Sequence, residues 1–66
     1  MQLIVNGEAQ EIFSEYTVFQ FLENKAVTLK AAVVELNGKI LTQDHWQSTF
    51  LGPDDRLEIL IFLGGG

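Results

Sequence analysis

Apolar and polar residues alternate from the first position. Met1, Leu3 and Val5 share one face of an extended segment, and Gln2, Ile4 and Asn6 share the other. The pair Asn6-Gly7 then breaks the alternation. It predicts a two-residue hairpin, because a type I′ turn needs positive φ at both central positions. A return strand over Glu8 to Phe13 follows, with Ile12 as its core residue. The period changes after Thr17. Val18, Phe21 and Leu22 stand at i, i+3 and i+4, the stripe of a helix lying on a sheet. Thr17 with Gln20 three residues on makes a capping box, and Tyr16 and Phe21 occupy the positions of a hydrophobic staple. The stripe fails at Lys25, where the helix is expected to end.

Period two returns over Ala31 to Leu36, with Ala32, Val34 and Leu36 inward. Asn37-Gly38 is a second hairpin signal, with Lys39 to Leu41 as the return strand. Thr42 to Trp46 reads as one helical turn capped by Thr42. Trp46 is expected to close one end of the core, its indole N–H reaching a polar group. Gly52-Pro53-Asp54-Asp55 is a turn, and Arg56 to Leu63 is the last strand. The order ββαββ, short turn, β is an α+β architecture with one helix on one face of a mixed sheet.

The last strand has two unlike faces. Leu57, Ile59, Ile61 and Leu63 are apolar and are read as core. The opposite face runs Arg56, Glu58, Leu60, Phe62, so it starts charged and becomes apolar. Ile4 and Val33 also have outward parity on their strands. If these strands are neighbours, Ile4, Val33, Leu60 and Phe62 form one exposed patch, and such patches on small proteins tend to be interaction sites. The alternative is that another element covers them.

The chain then reads Gly64-Gly65-Gly66, half of its six glycines in one run. At an average glycine usage of ~7% such a triplet is improbable by chance. A glycine tail is thin, so it can thread a narrow channel and present a carboxylate to another protein's active site. The plain alternative is a disordered end or a cloning remnant. The expected division is a domain over residues 1–63 and a flexible tail over 64–66.

Composition removes several function classes. Sixty-six residues without cysteine make one small domain with no disulfide or thiolate metal site. A net charge of −5, from nine acidic and four basic residues, opposes binding to nucleic acid or to an anionic membrane. It favours a partner with a basic surface. No apolar run approaches the ~20 residues of a membrane span, and no basic, apolar leader opens the chain. A cytoplasmic protein is expected. The one histidine, His45, lies in a polar turn beside Asp44 and is read as an exposed loop residue. Asp54-Asp55 is read as a pair of solvated turn formers. Ser14, Ser48, Thr17 and Thr49 have no base at a recognisable spacing. No catalytic residue, metal site or bound cofactor is expected in the chain itself.

The residues also resemble a known family over the whole chain. The Met1-Gln2-Leu3 opening, the Asn6 turn, Thr17-Val18 with Leu22, Val34-Glu35-Leu36-Asn37, Ile40 followed by Trp46, and the terminal glycines are similar to ThiS, the sulfur carrier of thiazole synthesis in the thiamine pathway. The resemblance implies the ubiquitin-like β-grasp fold and a substrate protein in place of a catalyst. It implies that a ThiF-type adenylating enzyme joins the Gly66 carboxylate to AMP from ATP. A sulfur donor protein would convert the adenylate to a thiocarboxylate, and a thiazole synthase of ThiG type would take up the sulfur. Three extended residues reach only ~10 Å, so the folded body would have to dock at the channel mouth. The chain departs from the family pattern in ending on three glycines in place of two. It also has Pro53-Asp54-Asp55 where a Gly-Asp pair is common before the last strand. Alternatives are a carrier of the molybdopterin synthase small-subunit type, which commonly has a proline pair where Ile61, Phe62 and Leu63 stand here. Others are a ubiquitin-like modifier, or a binding module without tail chemistry.

Overall fold

The computed structural model describes residues 1–25 and 29–62. Its strands are β1 (Gln2–Val5), β2 (Glu8–Glu11), β3 (Ala32–Leu36), β4 (Lys39–Leu41) and β5 (Arg56–Ile61). One helix, α1 (Val18–Asn24), and two 3-10 turns, Leu29–Ala31 and Gln43–His45, complete the elements. The sheet order is β2-β1-β5-β3-β4, so the last strand lies at the centre. β1 and β5 are parallel, and the other neighbouring pairs are antiparallel. A mixed sheet with one helix on its inner face is the β-grasp arrangement.

Both asparagine-glycine turns form as the sequence requires. Asn6 and Gly7 have φ of 48° and 83°, and Asn37 and Gly38 have φ of 52° and 85°, the left-handed values of a type I′ turn. Their side chains add a tertiary role. The Arg56 backbone N–H donates to Asn37 Oδ1 at 2.9 Å, and the Ile59 N–H donates to Asn6 Oδ1 at 2.7 Å. Both turn asparagines therefore hold the last strand. In the turn before β5, Asp54 takes the left-handed conformation, φ 64°, where glycine would carry less strain.

A helix leaves its first four N–H groups without intrahelical partners. In α1 all four are satisfied. The Gln20 N–H donates to Thr17 Oγ1 at 3.2 Å and the Thr17 N–H to Gln20 Oε1 at 2.9 Å, which is the expected capping box. The other two come from the chain beyond the second 3-10 turn: the Val18 N–H donates to the Thr49 carbonyl at 2.9 Å and the Phe19 N–H to the Trp46 carbonyl at 3.1 Å. Thr17 is buried. Thr17→Ala is expected to cost about 1 kcal/mol, within the 0.5–2 kcal/mol range of such caps, and urea denaturation would measure it. The second expected cap does not form. Thr42 makes no side-chain cap bond to its turn; its hydroxyl donates to the Asp44 carboxylate instead, the local alternative open to a short polar side chain.

Leu3, Val18, Leu22, Val34 and Leu57 are fully buried, with Ile12, Phe21, Ala32, Trp46 and Leu51 around them. Trp46 closes one end of this core, and its Nε1–H donates to the Leu41 carbonyl at 2.9 Å. β2 ends at Glu11, earlier than its apolar pattern suggests. Ile12 is buried beyond the strand's end, while Phe13 is 91% exposed.

The inner face of β5 needs a correction. Leu57 is buried, but Ile59 is half-buried and Ile61 is 37% exposed. The reason is one of neighbours. β1 flanks β5 only as far as Leu57 before turning away at Asn6-Gly7. So among the described residues no strand lies beside Ile59 and Ile61 on that side, while Ala32, opposite Ile61 on the β3 side, is buried. Leu63, the fourth residue expected on this face, lies outside the described residues.

Candidate functional site

The outer face of β5 carries the candidate site. Antiparallel pairing places Val33 of β3 directly opposite Leu60 of β5. One residue beyond β5, the Phe62 N–H donates to the Ala31 carbonyl at 2.9 Å, so Phe62 continues along the same ladder. Leu60 is 52% and Phe62 63% exposed, and Val33 is half-buried between them and β4. These three apolar residues are contiguous. They lie at the end of β5 that leads to Gly64, Gly65 and Gly66, which are themselves outside the described residues.

Ile4 does not join them. β1 and β5 are neighbours, but the parallel register sets Ile4 beside Arg56. That is four residues before Leu60, about 13 Å along the strand. Ile40 takes its place. It pairs with Glu35 and is 67% exposed on the same face, diagonal to Val33. The sequence held the signal for it. A two-residue turn at Asn37-Gly38 pairs Leu36 with Lys39 and so Glu35 with Ile40, and Glu35 has outward parity.

Carboxylates border the apolar residues. Glu35 and Glu58 stand directly opposite each other on this face, one row from Val33 and Leu60. Neither makes an ion pair among the described residues. The face is therefore apolar toward the glycines and acidic in its middle, a combination suited to a partner with an apolar and basic surface.

The other candidate residues are accounted for by local structure. The Asp55 carboxylate accepts from the Asn37 side-chain amide at 3.0 Å and from the Gly52 N–H at 2.7 Å, so it ties one turn to another. His45 Nε2 lies 3.7 Å from Asp44 Oδ2, and both side chains are exposed. The Thr42 hydroxyl bond, and secondarily the charge of His45, hold the Asp44 carboxyl below its ordinary pKa. Among the described residues there is no group of three or more His, Cys, Asp or Glu placed to hold a metal ion. No helix of the described residues is long and apolar enough to cross a membrane.

The ThiS family model matches residues 3–66, which include the three glycines. The chain belongs to the ThiS family. Two solved structures of a thiamine biosynthesis protein (ThiS) from Geobacter metallireducens are similar to it. The crystal structure has 32% sequence identity and a TM-score of 0.86, covering 100% of each chain. The NMR structure has the same identity and a TM-score of 0.83, over 100% of this chain and 88% of that one. A thiazole synthase of Paramagnetospirillum magneticum is 32% identical over 66 residues. The match takes in the whole of this chain, which spans 20% of that relative's length. These likenesses agree with the β-grasp fold built up from the strand order.

Proposed function

We propose that this ThiS-family chain is a sulfur carrier of thiamine biosynthesis, working as a protein substrate of other enzymes. The observation that carries the reading is the family match running through the glycine tail. In this reading Gly66 bears the free carboxylate. A carboxylate is a poor acyl donor. Its attack on the α-phosphorus of ATP, with loss of pyrophosphate, gives an acyl adenylate whose AMP is a good leaving group. Sulfur at the sulfide level, delivered by a donor protein, then attacks the acyl carbon. The new C–S bond replaces the C–O bond to AMP, AMP leaves with that electron pair, and a thiocarboxylate remains on Gly66. ATP is bound by a ThiF-type adenylating enzyme and not by the carrier. The resemblance to a thiazole synthase supports an enzyme of that kind as the acceptor of the sulfur.

Intact mass measured after incubation with ATP, the adenylating enzyme and a sulfur source tests this directly. The expected product has one oxygen replaced by sulfur. Conjugates of higher mass would indicate a protein modifier, and an unchanged mass would remove tail chemistry altogether.

The Val33–Leu60–Phe62 surface is the docking face in this reading, because a short tail cannot reach a nucleotide unless the body sits at the channel mouth. Phe62→Asp is expected to weaken binding to the adenylating enzyme by about 2 kcal/mol or more, the loss of an aromatic anchor plus a carboxylate facing apolar surface. Folding should be unchanged, since Phe62 is mostly exposed. Leu57→Asp, which places a charge at a fully buried position of the same strand, should unfold the chain and is the control; Ile61→Asp would be a weaker one, because Ile61 is partly exposed. Circular dichroism with titration calorimetry checks both; normal binding by Phe62→Asp would remove this face as the docking surface.

A further inference from the structure

β5 has one open edge. On its β3 side the ladder is complete: residues 58, 60 and 62 face β3, ending with the bond from the Phe62 N–H to the Ala31 carbonyl. Residues 57, 59 and 61 face the other way, toward β1. There the ladder stops early, because β1 pairs with β5 only at Ile4–Arg56 and Val5–Leu57 before turning away at Asn6-Gly7. The Asn6 N–H still donates to the Leu57 carbonyl at 2.9 Å. One step further, the Asn6 side chain stands in for a strand and accepts from the Ile59 N–H. Beyond it, no backbone bond among the described residues reaches the Ile59 carbonyl or the Ile61 N–H and carbonyl on this side.

A groove of about 350 Å³ runs along this edge. Val5, Ile59 and Ile61 form its apolar part, and Glu8 and Lys25 stand at its polar rim. Gln10 lines it too, and its Oε1 is buried with no hydrogen-bond partner. An open row of backbone donors and acceptors beside apolar side chains is the chemistry that binds an extended peptide by strand addition. A helix, whose backbone groups are bonded within itself, offers no complementary row. The open length is short, which protects the free chain from indiscriminate edge pairing.

We propose that the β1-side edge of β5 at Ile59 and Ile61 is a strand-addition site for an extended segment of the adenylating enzyme, placed where β1 would have continued. The inference rests on the docking role proposed above and adds to it a backbone contact on the strand that carries the tail. Side-chain contacts at Phe62 would hold the outer face. The added strand would fix the height and direction in which the chain leaves Ile61 for the glycines, which matters when only a few residues separate the body from the reacting carboxylate.

Two measurements with the purified adenylating enzyme test it. In the first, amide hydrogen exchange is followed on the unsubstituted chain, free and bound. The Ile61 amide should exchange quickly when free and be protected in the complex, while the Leu60 amide, which faces β3, should be protected in both. In the second, Ile61→Pro is compared with Ile61→Val. Proline removes the N–H and is tolerated where that N–H faces an open edge, and Leu60 before it is already extended, as proline requires. Relative to Ile61→Val, Ile61→Pro should raise Kd about tenfold, the scale of a lost hydrogen bond with its neighbours disturbed. Equal affinities of the two variants, or an Ile61 amide that exchanges as fast in the complex as when free, would overturn the inference. So would an Ile61 amide already protected in the free chain, since the chain's own residues would then occupy the edge. If Ile61→Pro does not fold, the exchange measurement on the unsubstituted chain decides. Should Phe62→Asp weaken binding while the edge tests fail, only strand addition falls. Should Phe62→Asp bind normally as well, the docking role falls with it.

Discussion

Adding one bulky residue after Gly66 is expected to reduce ATP-dependent activation of the chain to background while leaving its fold intact. The fold should survive because a glycine tail adds little buried surface, and the hydrophobic cluster is drawn from Leu3 to Leu57. Activation should fail for two reasons. In the proposed reading the carboxylate would move by one residue, about 3.5 Å, from the position at which it is to meet the nucleotide. A side chain would also have to enter a channel that glycine can pass because it has no Cβ. Deleting Gly66 should have the same effect by shortening the reach. Pyrophosphate exchange with the adenylating enzyme measures activation, and a thermal melt measures the fold. Normal exchange by the extended chain would mean that the Gly66 carboxylate is not the reacting group.

The largest expected effect on stability is at Leu57. It is fully buried at the centre of the sheet, with β1 on one side and β3 on the other. Leu57→Ala should cost about 2–5 kcal/mol, the range for a buried leucine truncated in a core that cannot close over the gap. Total stability in small domains starts at about 5 kcal/mol, so this one change can populate the unfolded chain at ordinary temperature. Ile59→Ala provides the contrast. Two residues along the same face it is only half-buried, and about 0.8–1.5 kcal/mol is expected, roughly half the transfer free energy of a fully buried aliphatic side chain. Urea denaturation of both variants gives the comparison. Equal losses would mean that the far end of β5 is as well covered as its start.

The features legible in the sequence are those set by neighbours within about four residues. Asn6-Gly7 and Asn37-Gly38 announced their turns because few residues accept positive φ. Thr17 and Gln20 announced the helix start because the capping box is a three-residue relation. Period two separated the buried Leu57 from the exposed Leu60 and Phe62, since a strand's side chains alternate whatever its partners are. Trp46 needed a partner for its indole N–H, and the fold supplied the Leu41 carbonyl. The terminal glycines led to the family, although their own arrangement lies outside the described residues.

Tertiary structure decided everything that depends on which strands meet and in what register. Strand parity put Ile4 and Leu60 on one face, but only the pairing of β1 with β5 set Ile4 beside Arg56 and away from Phe62. The expectation that Ile61 is core followed the alternation correctly and failed on coverage, because alternation names a face and not how far the neighbouring strands extend along it. The acceptors for the Val18 and Phe19 N–H groups lie about 30 residues on, at Thr49 and Trp46. The bond from the Ile59 N–H to Asn6 joins residues 53 apart in the chain. Local rules carry no information about such pairs: a backbone group states that it needs a partner, and only the closed sheet determines which one is within reach.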